Sequence, residues 1–170
     1  MIKLLKHKAH SEDLGASIDM TVISVRAAQH TDAAIVSDFV HALLDELSDG
    51  KPPAKEGVID VAEALLSGPN VIAAIAYADA DPVGVMTLNE CAAIYAGGKF
   101  GEISELYVRP DMRSQGVAQL LLDHAQQQAQ ARGWTRLEVG APKQPDWHRT
   151  LHFYLRNGFD EVGPRLRRLA

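Results

Sequence analysis

Residues 102–122 read EISELYVRPDMRSQGVAQLLL, and the organisation of the chain turns on this stretch. Glu102–Val108 alternates as a strand and stops before Pro110. A turn carrying Arg113-Ser114-Gln115-Gly116-Val117-Ala118 follows, and a helix begins inside it. The pattern predicts helix from Ser114 to Arg132. Val117, Leu121, Ala125 and Ala118, Leu122, Ala129 face inward, and Gly133 is the stop. Unpaired N–H groups at a helix start make an anion site, to which the macrodipole adds about 0.3–1 kcal/mol per anionic group. Gly116 and Ala118 lack bulk, so an anion can approach the backbone closely. Arg113 stands at the mouth of the turn, with Arg109 nearby. Two familiar phosphate motifs are excluded. Only Gly116 of the three glycines of a dinucleotide fingerprint is present, and Gly98-Lys99 is followed by Phe100, not by the hydroxyl a P-loop needs.

Upstream, Thr21–Ala27 alternates as a half-buried strand. A helix is expected over Thr31–Leu47, capped by Thr31, with the stripe Ile35, Val36, Phe39, Val40, Leu43, Leu44, Leu47. Ser48–Gly57 is a loop, and a short helix over Val58–Ser67 ends at Gly68-Pro69. Asn70–Ala78 and Val83–Asn89 form a hairpin, and Cys91–Gly101 is a glycine-containing loop. Downstream come a strand over Trp134–Gly140 and a helix over Trp147–Asn157 capped by Asp146. One or two closing strands are expected within Phe159–Leu169. The order β-α-α-β-β-β-α-β-α-β describes a mixed α/β (α+β) domain over residues 21–170. Residues 1–20 are polar and aperiodic and read as a poorly ordered tail, with pattern beginning near Met20.

Composition narrows the function. The chain has 170 residues, 17 Lys+Arg against 22 Asp+Glu and a formal charge of −5, which argues against a nucleic-acid partner. No apolar run approaches the roughly 20 residues of a membrane span, and no signal peptide stands at the start. One cysteine, Cys91, excludes a disulfide framework and fits a reducing, cytoplasmic setting.

Arg113-x-x-Gly116-x-Ala118, after a strand ending Leu106-Tyr107-Val108-x-Pro110, resembles the acetyl-CoA signature Q/R-x-x-G-x-G/A of the GNAT N-acetyltransferase superfamily. Phe153-Tyr154-x-x-x-Gly158-Phe159 is similar to that family's second landmark, and Ile23–Ala27 followed by Asp32-Ala33 to its opening. The resemblance spans residues 21–169. It implies a central mixed sheet of roughly six to seven strands with about four flanking helices, splayed between the fourth and fifth strands, here Glu102–Val108 and Trp134–Gly140. It implies acetyl-CoA as co-substrate and direct attack by a primary amine of a small molecule or peptide. Membrane and nucleic acid have no part, and a homodimer is compatible. Backbone groups of Leu106, Tyr107 and Val108 would hold pantetheine and polarise the thioester carbonyl. Arg113 and the N–H groups of Ser114, Gln115, Gly116, Val117, Ala118 and Gln119 would hold the pyrophosphate. A non-catalytic acyl-CoA-binding module, or an enzyme for longer acyl groups, is the alternative on the same fold.

Acetyl transfer to an amine asks for two proton handlers. A lysine-like amine is only about 0.04% neutral near pH 7, so a base is useful, and the departing thiolate needs a proton or a hydrogen bond. Tyr154 matches the family's acid, although it also belongs to the stripe Trp147, Thr150, Leu151, Tyr154, Leu155. Glu102 and Glu138 stand where different branches of the family keep a base, and the residues alone do not rank them. By simple alternation Glu102 shares a face with Ser104 and Leu106, and Glu105 points the other way as a structural group. Asp45, Glu46, Asp49 and Glu56 border the loop that lines the acceptor site in such proteins. Trp147 replaces a common asparagine and is a candidate wall of the acceptor pocket. His148 and His152 lack a third ligand and the glutamate of H-E-x-x-H, so no metal is expected.

Overall fold

The β-branched and alanine-rich middle of the chain builds the sheet. A computed structural model describes residues 21–163 and 165–168, so the tail expected over 1–20 lies outside the described residues. Five strands, β1 (Ile23–Ala27), β2 (Val71–Ala78), β3 (Asp81–Ala93), β4 (Gly98–Val108) and β5 (Leu137–Val139), lie side by side in chain order. The first four are antiparallel neighbours; β5 runs parallel to β4. A parallel neighbour needs a crossover, which α3 (Val117–Arg132) supplies. The other helices are α1 (Ala33–Leu47), α2 (Lys55–Leu66) and α4 (His148–Arg156). No helix among the described residues is long and apolar enough to cross a membrane.

Period-two alternation gives each face of the sheet its own core. On one face Ala73, Ile75, Val85 and Tyr107 pack with Val36, Phe39 and Leu43 of α1. On the other, Ala74, Ala76, Met86, Leu88 and Ile103 meet Val117, Leu121, Leu122 and Ala125 of α3 together with Tyr154 of α4. Full burial of a side chain such as Leu121 is worth about 1.5–3 kcal/mol, so the α3 stripe binds the crossover firmly to the sheet.

Several expectations need correction. Among the described residues the sheet has five strands, not six to seven. No strand forms over residues 159–163 and 165–168, because Gly158 (φ +82) and Gly163 (φ +129) turn the backbone out of the extended region. The strand expected over Trp134–Gly140 shortens to Leu137–Val139, since Trp134 is used for packing. Its indole is buried and donates to Glu90 at 3.0 Å, and a Cβ on Gly101 would run into its ring. The expected loop Cys91–Gly101 is mostly ladder: β3 and β4 pair from Cys91↔Phe100 to Ala93↔Gly98, and Gly97 and Gly98 (φ +73 and +134) close the hairpin. The expected caps differ too. Asp32, not Thr31, precedes α1, and Trp147, not Asp146, precedes α4.

Asp32 ties β1 to the start of α1. It accepts a two-pronged ion pair from Arg26 at 2.7 and 2.9 Å and the Gln29 N–H at 2.8 Å. The Arg26 bonds, then the Gln29 N–H, lower its pKa from 3.8 to about 2. A carboxyl depressed on folding stabilises the protein above its unfolded pKa, and that contribution fades as pH falls through about 2. Asp32→Asn is therefore expected to lower the unfolding free energy by about 1–2 kcal/mol near neutral pH, with the deficit shrinking as urea melts are repeated toward pH 2.

Candidate active site

A bulge in β4 assembles the site. Leu88 pairs with Ile103 but Thr87 pairs with Glu105, so Ser104 is the extra residue. Ser104 accepts from Asn89 Nδ2 at 2.6 Å, and Glu105 accepts from the Thr87 hydroxyl. Because two bulge residues oppose one on β3, Glu105 joins Glu102 on the α1 side of the sheet. The expectation that Glu105 points away from Glu102 is thus overturned: simple alternation fails at an inserted residue.

Glu102 and Glu138 are direct partners in the short parallel ladder between β4 and β5. The two carboxylates that the sequence did not rank are neighbours on one face. They line a cleft of about 1230 Å³ together with Phe100, Arg136, Tyr154 and Arg165. Each has an arginine. Arg165, from the segment after α4, pairs with Glu102 and packs over Gly140. Arg136 Nε lies 3.0 Å from a Glu138 oxygen. The Cys91 thiol donates to Glu102 at 3.8 Å, and burial, then the charge of Glu102, pushes its pKa up.

β5 ends at Val139, opposite Ile103, and β4 runs on to Val108 without it. The Arg109 N–H bonds to Val83 O, so alternation directs the backbone groups of Leu106 and Val108 to the open edge and those of Tyr107 toward β3. The edge leads into the turn before α3. Ser114 (φ +62) and Gly116 (φ +84) are left-handed there, and a Cβ on Gly116 would meet nothing within 4 Å. Among the described residues no acceptor takes the N–H groups of residues 114–119, and the first bond is Leu120 N–H to Gly116 O at 3.1 Å. Consecutive free N–H groups around left-handed residues form a concave anion cradle at the positive end of the α3 dipole. This arrangement fits a pyrophosphate. Of residues 113–119, only Gln119 lines the cleft.

The arginines of the turn are otherwise engaged. Arg113 donates from Nε to Val108 O at 2.9 Å and from Nη2 to Glu46 at 2.6 Å, and lies 5.4 Å from the centre of the Tyr107 ring. Its guanidinium thus joins the end of α1 to the end of β4. Arg109 is held by Asp111 at 2.7 and 2.8 Å. Glu46, one of the acidic residues expected along the acceptor loop, is used by this contact and by the Tyr107 hydroxyl at 3.3 Å. Trp147 does not line the cleft.

Tyr154 is the buried residue of α4, at 6% exposure, with its ring edge-on to Phe153 (5.4 Å) and Phe159 (5.3 Å). Burial pushes its pKa up to about 12. Its hydroxyl has no hydrogen-bond partner among the described residues. The residue forms part of the wall of the cleft. Among the described residues no group of three or more His, Cys, Asp or Glu could hold a metal.

Sequence reasoning missed Arg136 and Arg165. Arg136 was within reach, since it stands two residues before Glu138 and so on the same strand face. Arg165 carried no local signal, because its contact with Glu102 spans the whole C-terminal half.

Four antiparallel strands, a fifth reached by a parallel crossover and a run of free N–H groups at the start of the crossover helix make a mixed α/β fold whose geometry suits an acyl-CoA co-substrate. The family model of the acetyltransferase (GNAT) family matches residues 38–159, and the chain belongs to that family. An aminoalkylphosphonate N-acetyltransferase of Salmonella typhimurium strain LT2 is 32% identical over 143 residues, covering 84% of this chain and 88% of its own. Among solved structures, an aminoglycoside N-acetyltransferase in complex with CoA superposes with a TM-score of 0.69 at 17% identity, covering 89% of this chain and 96% of its own. A ribosomal-protein-alanine N-acetyltransferase from Brucella melitensis biovar Abortus 2308 gives 0.65 at 23%, covering 86% and 99%. The chain is an N-acetyltransferase, and a non-catalytic binding module is the less favoured reading.

Proposed function

We propose that the chain transfers the acetyl group of acetyl-CoA by direct attack of a small-molecule primary amine in the cleft between β4 and β5. The observation that carries this reading is that Glu102 and Glu138, paired on the α1 side of the sheet, and Tyr154, packed on the α3 side, line one cleft. Acetyl-CoA supplies a thioester-activated acetyl group and leaves as a thiol. The N–H groups of Ser114, Gln115, Gly116, Val117, Ala118 and Gln119 hold its phosphates, and the outward backbone groups of Leu106 with the Val108 N–H hold pantetheine, the Val108 carbonyl being taken by Arg113. The Leu106 N–H polarises the acyl carbonyl and stabilises the oxyanion. Tyr154 Oη carries the proton given to the sulfur. Glu138, which no hydrogen bond reaches among the described residues, takes the proton of the amine; Glu102 is held by Arg165 and adds negative charge beside it. The acceptor class is that of the relative named for aminoalkylphosphonates. All these residues come from one chain, so a homodimer is not needed to complete the site. The single cysteine and the acetyl-CoA requirement agree with a cytoplasmic location.

Initial rates with acetyl-CoA and amine both varied test direct attack. Double-reciprocal lines should intersect, whereas parallel lines would mean an acetylated enzyme and contradict the reading. Glu138→Gln is expected to lower kcat/KM by about 10²- to 10⁴-fold, with Glu102→Gln the milder variant. The reverse order would transfer the base role to Glu102.

A further inference from the structure

We propose that Arg136, aided by Arg165, makes the acceptor end of the cleft select amines that also carry an acidic group, a phosphonate or a carboxylate, over plain cationic amines. The proposal rests on the acetyl-transfer reading above and names the residues that would set its specificity.

Arg136 is under-satisfied. Its Nε and Nη2 are buried and complete no hydrogen bond. Nε approaches Glu138 to 3.0 Å, but at an angle that makes an ion pair without a hydrogen bond. The guanidinium lies against a pair of rings, 4.8 Å from the centre of Tyr95 and 5.8 Å from that of Phe100, which are 6.4 Å from each other. Buried donors are nearly always paired in folded proteins, and a planar fork of N–H groups is matched by two oxygens of one anion. Arg136 therefore has stacking and charge but lacks the oxyanion its donors fit. Tyr95 is 73% exposed on the β3–β4 hairpin, so the ring over the guanidinium can yield to an incoming group.

The charges around it point the same way. Glu102 and Glu138 stand side by side, and Arg165 and Arg136 are each against one of them. Two negative and two positive groups make a dipolar site within a chain of net charge −5. A purely cationic amine that takes a carboxylate strips an arginine of its counter-charge. An amine with an acidic group exchanges partner for partner: its ammonium takes over the carboxylates and its oxyanion the arginine fork.

The test compares aminoethylphosphonate with propylamine. For the native protein kcat/KM is expected to favour the phosphonate by about 10- to 100-fold, mainly through KM. Arg136→Gln should erase that preference, lowering kcat/KM for the phosphonate but not for propylamine, and Arg136→Lys should restore it in part, by charge without the fork. Equal turnover of both amines by the native protein overturns the proposal, as does an Arg136→Gln variant that slows both alike. If that variant does not fold, the comparison on the native protein still decides. Calorimetric titration of the CoA-loaded protein separates this proposal from the reaction it rests on. Phosphonate-dependent binding without acetylation of any amine would keep the anion site and sink acetyl transfer. Acetylation of both amines without phosphonate preference would do the opposite, and neither binding nor turnover would overturn both.

Discussion

Tyr154→Phe is expected to lower kcat by about 10²- to 10⁴-fold with little change in KM for acetyl-CoA. The ring is fixed by edge-on contacts with Phe153 and Phe159, all of which phenylalanine keeps. Among the described residues the lost oxygen has no hydrogen-bond partner, so its removal leaves no unpaired group there, and the melting temperature should stay close to native. What disappears is a proton near the cleft. With a pKa pushed up to about 12 by burial, Tyr154 keeps its proton throughout the neutral range and contributes no basic limb to the rate profile below that value. A tyrosine this weak donates to a thiolate because the same desolvation raises the thiol's pKa as well. An unchanged kcat in Tyr154→Phe would reduce the residue to a packing group. A collapse in stability would show that the hydroxyl had a structural partner.

Gly116→Val is expected to act on the other substrate. Gly116 begins α3 at φ +84, a conformation that costs an L-residue about 1–2 kcal/mol and a β-branched one more. The added side chain stands over the N–H cradle of residues 114–119, in space open in the native protein. KM for acetyl-CoA should rise about 10- to 100-fold, with a smaller fall in kcat at saturation. Gly133→Val is the control. That residue ends α3 at φ +66, also in open space, and carries comparable strain without standing over the cradle. If both substitutions raise KM equally, strain in α3 is responsible and the cradle is not the anion site.

Much of this was legible in the sequence where the pattern is local. The α3 stripe, the glycines at both of its ends and the strand before it follow from spacing, and the structure buries Val117, Leu121, Leu122, Ala125 and Ala129 as the stripe requires. Three features were not legible, each for its own reason. The bulge at Ser104 inserts one residue into a regular alternation, and nothing in EISELYV marks it; yet it decides that Glu105 faces the same way as Glu102. The hairpin from Cys91 to Gly101 is built from alanines and glycines that carry no polar–apolar alternation, so ladder reads as loop. The last segment contains enough apolar residues to suggest strands, but Gly158 and Gly163 take it out of the sheet and bring Arg165 onto Glu102. Long-range contacts of that kind leave no trace in local spacing. The two carboxylates could not be ordered from sequence because both stand on strands at plausible positions. Only the β4–β5 register shows that they form a pair.

The most direct test of the account is thiol release from acetyl-CoA in the presence of aminoethylphosphonate, with the products followed by mass spectrometry. One N-acetylated amine should form for each CoA thiol released, with none in the absence of amine and a loss of most of the rate in Tyr154→Phe. Tight binding of acetyl-CoA with no amine-dependent thiol release, across primary amines with and without an acidic group, would contradict it.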